Sequence, residues 1–228
     1  MTTQPTETSE TQAVRMTDNN RIDESLSAEH HLIIGYTGSG KTQFIKRHPF
    51  FCQSKKVLAW DPEGSFDDLP EYTTIKGLAM ALRRVRKYGN FHGRFVPGDV
   101  TPQVFEQFCE LAWHCGHALN PMTIVAEELA DVVKSGVASK YWGFLSRKGR
   151  KYGIRILGVS QRPQEVDKTF LNQCPIKWCG QLGSDNDRKY MANIMDLKKE
   201  QLACLPDVHF YLRQGSKEPK MGRLTFSN

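Results

Sequence analysis

The sequence predicts an α/β protein with a mostly parallel central sheet, helices on both faces and a C-terminal β-hairpin. Three observations predict it. Short apolar runs with strand character alternate with segments of helical periodicity along most of the chain. The first of these runs enters a glycine-rich turn that opens directly into a helix. The last stretch, Val208 to Phe226, reads as two strands folded around Gly215-Ser216.

The chain has 228 residues, enough for one domain with a substantial core, or one domain and a tail. Residues 1–29 are rich in Thr, Ser, Gln, Glu and Asp and poor in apolar residues, which predicts a disordered acidic tail ahead of a domain over 30–228. The tail holds Glu7, Glu10, Asp18, Asp23, Glu24 and Glu29 against Arg15 and Arg21, a net −4. The whole chain is +6, which leaves +10 on the predicted domain. Such a balance fits a polyanionic partner, and equally a basic protein kept soluble by its charge. No stretch reaches the roughly 18 apolar residues of a membrane span. The N-terminus also lacks the charged-then-apolar layout of a secretory signal.

Taken in order, His31-Leu32-Ile33-Ile34 reads as a buried strand, and Thr42 to Arg47 as a helix that stops near Pro49. Lys56 to Trp60 is a second strand, ended by Asp61-Pro62-Glu63-Gly64. Ile75 to Tyr88 reads as an amphipathic helix with Leu78, Met80, Leu82 and Val85 on its apolar side and Arg83, Arg84, Arg86 and Lys87 on its polar side. Phe91 to Val96 is a short strand, and Thr101-Pro102 starts another helix, with Pro at a favoured first-turn position. Met122 to Ala126 is a strand, and Gly136 with its polar neighbours marks a loop. Ser139 to Tyr152 is a helix, Ile154 to Ser160 and Ile176 to Leu182 are strands, and Asp185 to Asp196 is a helix.

The six cysteines, Cys52, Cys109, Cys115, Cys174, Cys179 and Cys204, form no C-x-x-C pair, which predicts free thiols in a reducing compartment. Cys109, His114, Cys115 and His117 cluster without a common zinc spacing, and Gln103 to Cys115 has helical periodicity, so a helix is the simpler reading there.

Residues Gly35, Tyr36, Thr37, Gly38, Ser39, Gly40, Lys41 and Thr42 complete the phosphate-loop pattern G-x-x-x-x-G-K-[ST] between a strand and a helix. The glycines let backbone N–H groups converge on a triphosphate, and the helix N-terminus adds its dipole. Lys41 reaches the β- and γ-phosphates, and the Thr42 hydroxyl holds Mg²⁺. The sequence therefore predicts a nucleoside triphosphate, ATP, with Mg²⁺. Cleavage also needs an acid at the end of a buried strand and a group that positions water. Glu127 and Glu128 follow the strand at 122–126: Glu127 is the candidate for the metal shell, Glu128 the candidate base. The alternative is a solvated helix start favoured by its dipole. Gln161 ends the strand at 154–160 and fits a sensor that touches γ-phosphate and water.

The phosphate loop, the strand ending Asp61-Pro62-Glu63-Gly64, the run Ile124-Val125-Ala126-Glu127-Glu128-Leu129-Ala130-Asp131, and Gly153 to Pro163 ending Ser-Gln-Arg-Pro together resemble the FtsK/HerA superfamily of DNA-pumping ATPases. Glu127 stands where that family usually has Asp. The resemblance covers about residues 30–215, and the chain's size is similar to the genome-packaging ATPases of tailless, membrane-containing viruses. It implies a three-layer P-loop NTPase fold of the RecA-like (ASCE) kind. It also implies a hexameric ring on DNA, nucleotide at subunit boundaries and an arginine finger given in trans. Arg150 best matches the recurrent family Arg before the sensor strand; Arg188 is the second candidate, and Arg162 serves structure or subunit contact. The implied function is ATP-driven packaging of viral DNA into a preformed capsid, in the cytoplasm of the infected host cell or at the packaging vertex, with portal or capsid vertex proteins as docking partners. Lys134 and Lys140, or the cluster from Arg83 to Lys87, are the candidate DNA contacts, made to phosphates without sequence preference. The competing readings are an ATPase for protein or filament export or virion assembly, and a small regulatory NTPase.

Overall fold

The computed structural model describes residues 22–27, 29–85, 89–119, 121–133 and 138–225. Nine strands form one sheet: β1 His31–Ile34, β2 Lys56–Trp60, β3 Glu71–Tyr72, β4 Phe91–Phe95, β5 Met122–Ala126, β6 Ile154–Ser160, β7 Ile176–Cys179, β8 His209–Gln214 and β9 Lys220–Arg223. Their spatial order is β3-β4-β2-β5-β6-β1-β7-β8-β9. The sheet is parallel from β3 to β7, and β8 and β9 add antiparallel to its far edge.

The helices are α1 Lys41–Arg47, α2 Pro49–Cys52, α3 Ile75–Arg83, α4 Pro102–Leu119, α5 Leu129–Val132, α6 Lys140–Lys148, α7 Lys168–Gln173, α8 Asp185–Met195 and α9 Lys199–Ala203. Side chains alternate across the strands, so each inner strand feeds two cores. Leu32, Ile34, Leu58, Trp60, Ile124 and Ile156 face one layer, against α3, α4 and α6. Ile33, Val57, Ala59, Val125, Leu157 and Val159 face the other, against Ile45 of α1 and Phe51 of α2. This is the three-layer α/β architecture expected of the sequence.

Aromatic packing fixes the first layer. Trp60 is fully buried and lies 5.0 Å from Phe105 and 5.6 Å from Phe108, ring centroid to centroid. Helix α6 is capped from its neighbour: Glu106 of α4 accepts hydrogen bonds from the Tyr141 N–H at 2.8 Å and the Ser139 hydroxyl, where a carboxylate satisfies first-turn donors and the dipole together. Thr101 caps α4 through the Val104 N–H at 3.3 Å, with Pro102 as the first helical residue.

Several expectations need correction. The helix expected over 75–88 ends at Arg83, and residues 86–88 lie outside the described set. Met80 does not belong to its apolar side. Leu78 and Leu82, four apart, are buried, while Met80 is 48% exposed, two residues and about 200° round the helix from either. The helix expected over 139–152 is α6 followed by a 3-10 turn at Gly149–Tyr152, and Gly153 (φ 68°) ends it in the left-handed region that favours glycine. Strand β7 stops at Cys179, so Gln181 and Leu182 leave the sheet. Cys109 and Trp113 are buried in helix α4, and no group of three or more metal-ligating side chains occurs among the described residues. His117 instead stacks on Tyr152 at 3.8 Å. No helix among the described residues is long and apolar enough to cross a membrane. Residues 1–21 of the expected tail lie outside the described set. Asp23 and Glu24 lie against the 3-10 turn: the Asp23 N–H donates to the Lys151 carbonyl at 2.8 Å, and Glu24 pairs with Lys151 at 2.6 Å.

Candidate active site

Parallel strands of an α/β sheet place ligands outside their carboxyl ends. Here the carboxyl ends of β1, β2, β5 and β6 lie side by side, because Ile34 pairs with Ser160, Ala126 with Gly158, and Trp60 with Ala126. Each is followed by a residue with candidate chemistry: the loop 35–42, Asp61, Glu127 with Glu128, and Gln161.

The loop leaves β1 at Gly35, whose N–H donates to the Ser160 carbonyl at 3.3 Å. Gly38 (φ 87°) and Gly40 (φ 94°) take left-handed backbone that a side chain would resist. Helix α1 has no side-chain cap and no acidic residue in its first turn, so its leading N–H groups are left for an anion. Lys41 is 9% exposed and folds back, donating from Nζ to the carbonyls of Gly35 at 2.8 Å and Tyr36 at 3.1 Å. Burial lowers its pKa, opposed by the charges of Glu128, Glu127 and Glu63.

The two carboxylates behind the loop face different partners. Glu127 is 5% exposed and its Oε2 has no hydrogen-bond partner among the described residues. Burial pushes its pKa up to about 8, reinforced by a hydrogen bond and repulsion from Asp61. A buried carboxyl oxygen without a partner, beside Asp61, fits one ligand position of a divalent cation; with the Thr42 hydroxyl and water it would hold Mg²⁺. Glu128 adopts φ 47° and ψ 58°, a left-handed conformation that costs a non-glycine residue about 1–3 kcal/mol and concentrates at functional sites. That turn aims it away from Glu127 and at the sensor. Its Oε1 accepts from the Gln161 N–H at 3.2 Å and the Ser160 hydroxyl at 3.4 Å. Gln161 Oε1 in turn accepts from the Thr37 hydroxyl at 2.9 Å, which ties the sensor to the phosphate loop.

In the sequence Asp61 stands only as part of a strand end. It is fully buried, accepts from the N–H groups of Ser65 at 2.7 Å and Phe66 at 3.0 Å, and pairs with Arg94 at 3.0 Å. Arg94 also holds Glu71 at 2.7 Å. Asp61 thus fixes the loop beside Glu127 and sets its acidic surroundings. The Asp-Pro-x-Gly strand end was the available signal; the Arg94 partner, 33 residues on, had none.

The candidate finger residues lie at opposite edges. Arg150 is in the 3-10 turn ahead of β6, at the amino edge of the sheet, and its Nη1 donates to the carbonyls of Glu24, at 3.1 Å, and Leu26. Arg188, on α8, borders the loop edge, donates to the Leu182 carbonyl at 2.8 Å and lines a 260 Å³ groove with Tyr36 and Gln181. Arg162 pairs with Glu165 at 3.1 Å. Lys140 sits exposed over the Tyr141 ring at 4.6 Å; Lys134, Arg86 and Lys87 lie outside the described residues.

A parallel sheet carrying a phosphate loop, an acidic strand end and a sensor strand defines a P-loop NTPase. No protein-family model matches the chain. It is 38% identical over 211 residues to Protein P9 of Pseudoalteromonas phage PM2, covering 90% of this chain and 95% of that protein. It is 32% identical over 85 residues to the DNA double-strand break repair helicase HerA of Sulfurisphaera tokodaii, covering 36% of this chain and 17% of that one. The genome packaging NTPase B204 of Sulfolobus turreted icosahedral virus 2, solved with AMPPCP, superimposes with a TM-score of 0.71 at 13% identity over 87% of this chain and 98% of its own. The chain belongs to the FtsK/HerA family, together with phage PM2 Protein P9.

Proposed function

We propose that this protein is an ATP-driven DNA translocase that packages a viral genome into a preformed capsid. The observation that carries the reading is the connected set Thr37–Gln161–Glu128 beside Lys41: a phosphate loop, a sensor and a base held in one hydrogen-bonded array. Lys41 leaves the carbonyls of Gly35 and Tyr36 for the β- and γ-phosphates when ATP enters. Glu128 accepts a proton from water that Gln161 orients against the γ-phosphate. Mg²⁺, held by Thr42 and Glu127, would neutralise charge on the phosphate oxygens. Because Gln161 bonds both Glu128 and the loop, loss of the γ-phosphate alters the sensor strand, which is a route from hydrolysis to movement.

Three facts support DNA as the cargo. B204, which shares the fold, is a genome packaging NTPase, and HerA, 32% identical over 85 residues, is a DNA double-strand break repair helicase. Residues 30–228 carry +10. Arg162, the arginine beside Gln161, is paired with Glu165, and a hexameric ring in which a neighbour donates Arg150 would supply the γ-phosphate with an arginine. In that ring Arg150, at the amino edge of one subunit, meets the loop edge of the next. DNA is gripped through its phosphates, with Lys140 and Lys134 near the second acidic motif. Portal or capsid vertex proteins seat the ring, and the work is done in the infected host's cytoplasm. Export of protein or filament, or a later assembly step, is the alternative use of the same machinery.

The test is displacement of a triplex-forming oligonucleotide from a long duplex. ATP should drive displacement and a non-hydrolysable analogue should not. Turnover of ATP with no displacement at any protein concentration would favour the export reading.

A further inference from the structure

The phosphate loop has two distinguishable ends. Thr37 and Lys41 face Glu128 and Gln161, which marks the γ-phosphate end. With Lys41 on the outer phosphates and Thr42 on the metal between them, the α-phosphate of a triphosphate laid along the loop lies beyond Thr42, at the exposed Gln43 in the first turn of α1, and the nucleoside leaves there, on the helix face that Gln43 shares with Gly40 three residues before it.

What stands at that end comes from the C-terminus. Leu224 is buried, 7% exposed, and a Cβ on Gly40 would strike its Cδ1, so the two are in direct contact. The Leu224 N–H donates to the Val208 carbonyl at 2.8 Å, which fastens the end of the hairpin to its beginning. Val208 has φ 58°, strained for a β-branched residue, and packs on the same core as Ile33 and Ile45. The preceding Asp207 is exposed and is held by Gln181, whose Nε2 donates to Asp207 Oδ1 at 3.0 Å and to the Leu205 carbonyl at 2.9 Å. Gln181 also grips the loop: its Oε1 accepts from the Tyr36 hydroxyl at 2.7 Å, and its carbonyl accepts from the Tyr36 N–H at 2.9 Å. The root of the hairpin is thus bound to the phosphate loop twice, by apolar contact at Gly40 and by hydrogen bonds at Tyr36.

We infer that the root of the C-terminal hairpin, Asp207–Val208 with Leu224, is the nucleoside subsite. Leu224 and Val208 offer the apolar edge against the base, and the second carboxylate oxygen of Asp207 accepts a ribose hydroxyl. Gln181 is a positioning residue that sets Asp207 against the loop. The hairpin that closes the sheet then has a reason to return to the phosphate loop instead of ending at the sheet edge. This placement rests on residues 35–42 being a triphosphate loop.

The experiment is isothermal titration of the full chain with ATP and with inorganic tripolyphosphate, which fills the loop but has no nucleoside. Leu224→Ala should weaken ATP about tenfold, the scale of one lost apolar contact, and leave tripolyphosphate within about twofold. Leu224→Met should restore ATP. Asp207→Ala, at an exposed position that leaves the core intact, should weaken ATP by a similar factor through a lost hydrogen bond to a charged group, again sparing tripolyphosphate. Equal losses for both ligands would reduce the hairpin root to a structural brace and overturn the inference, as would unchanged ATP affinity in both variants. Lys41→Ala separates this from the parent reading. If it loses both ligands while the hairpin variants lose neither, the loop stands and the subsite falls. If it keeps both at wild-type affinity, the loop reading itself fails.

Discussion

At the scale of the residue, backbone geometry gives two adjacent glutamates different surroundings, on which their proposed roles rest. Glu127 continues the line of β5 into a buried pocket beside Asp61, and Glu128, in left-handed backbone, turns to the sensor. The account predicts that Glu128→Gln binds ATP normally and turns it over slowly, because the proton acceptor is gone and the hydrogen-bond shape kept. Glu127→Gln should lose turnover together with its response to Mg²⁺ concentration. Stopped-flow binding and steady-state turnover check both; near wild-type turnover in Glu128→Gln with loss only in Glu127→Gln would exchange the two roles. Lys41→Ala should lower turnover by on the order of 10²–10³, the cost of one preorganised charge-stabilising group. The sequence showed these residue types and their spacing, but not that Glu127 shares its pocket with Asp61. That contact depends on β2 lying beside β5, which no local pattern encodes.

At the scale of the element, legibility followed length. β5 and β6 were expected at 122–126 and 154–160 and occur there, because runs of five and seven apolar-rich residues buried on both faces carry a strong signal. α7 and α9, of 6 and 5 residues, carry no helical signal in the sequence, and α5, of 4, carries only the helix start that is the alternative reading of Glu127-Glu128, since fewer than two turns cannot display a period. The two-residue β3 exists only because Glu71 and Tyr72 meet Arg94 and Phe95 of β4. The entrance to β1 carries a pH prediction. His30 and His31 are buried, and burial lowers their pKa values from 6.5 to about 4 and about 3. His30 Nδ1 accepts from the Ile156 N–H at 3.2 Å, a bond that only the neutral ring can make. The unfolded chain therefore binds more protons than the folded one between pH 6.5 and about 3. The histidines' contribution to stability is full above pH 6.5 and falls as pH drops through this window, by up to about 1.4 kcal/mol per pH unit for each, while the raised pKa of Glu127 acts in the opposite direction between about 8 and 4.5. Urea unfolding at pH 7 and pH 5 should show the loss, and His30→Asn should have a shallower pH slope. An identical slope would place the acid sensitivity elsewhere.

At the scale of the whole molecule, the single subunit brings the phosphate loop, Glu128 and Gln161 together at one edge of its sheet, while Arg150 lies at the opposite edge, so the proposed finger would act between subunits. A finger of this kind is worth on the order of 10³ to 10⁵ in rate. Mixing Lys41→Ala, which can give Arg150, with Arg150→Ala, which can bind ATP, should recover activity that neither has alone. No recovery in mixed rings of confirmed mass would remove Arg150 from the role and move the test to Arg188. DNA affinity should fall linearly on a log–log plot against salt, with a slope of roughly −0.9 per phosphate neutralised, and with little sequence preference.

The most direct test of the DNA-motor reading is ATP turnover with and without long double-stranded DNA, at protein concentrations where light scattering gives the molar mass of the species present. A ring motor on DNA should turn over slowly as a dilute monomer, and should accelerate as rings form and again when DNA is added. Full turnover in a demonstrated monomer, indifferent to DNA, would contradict it.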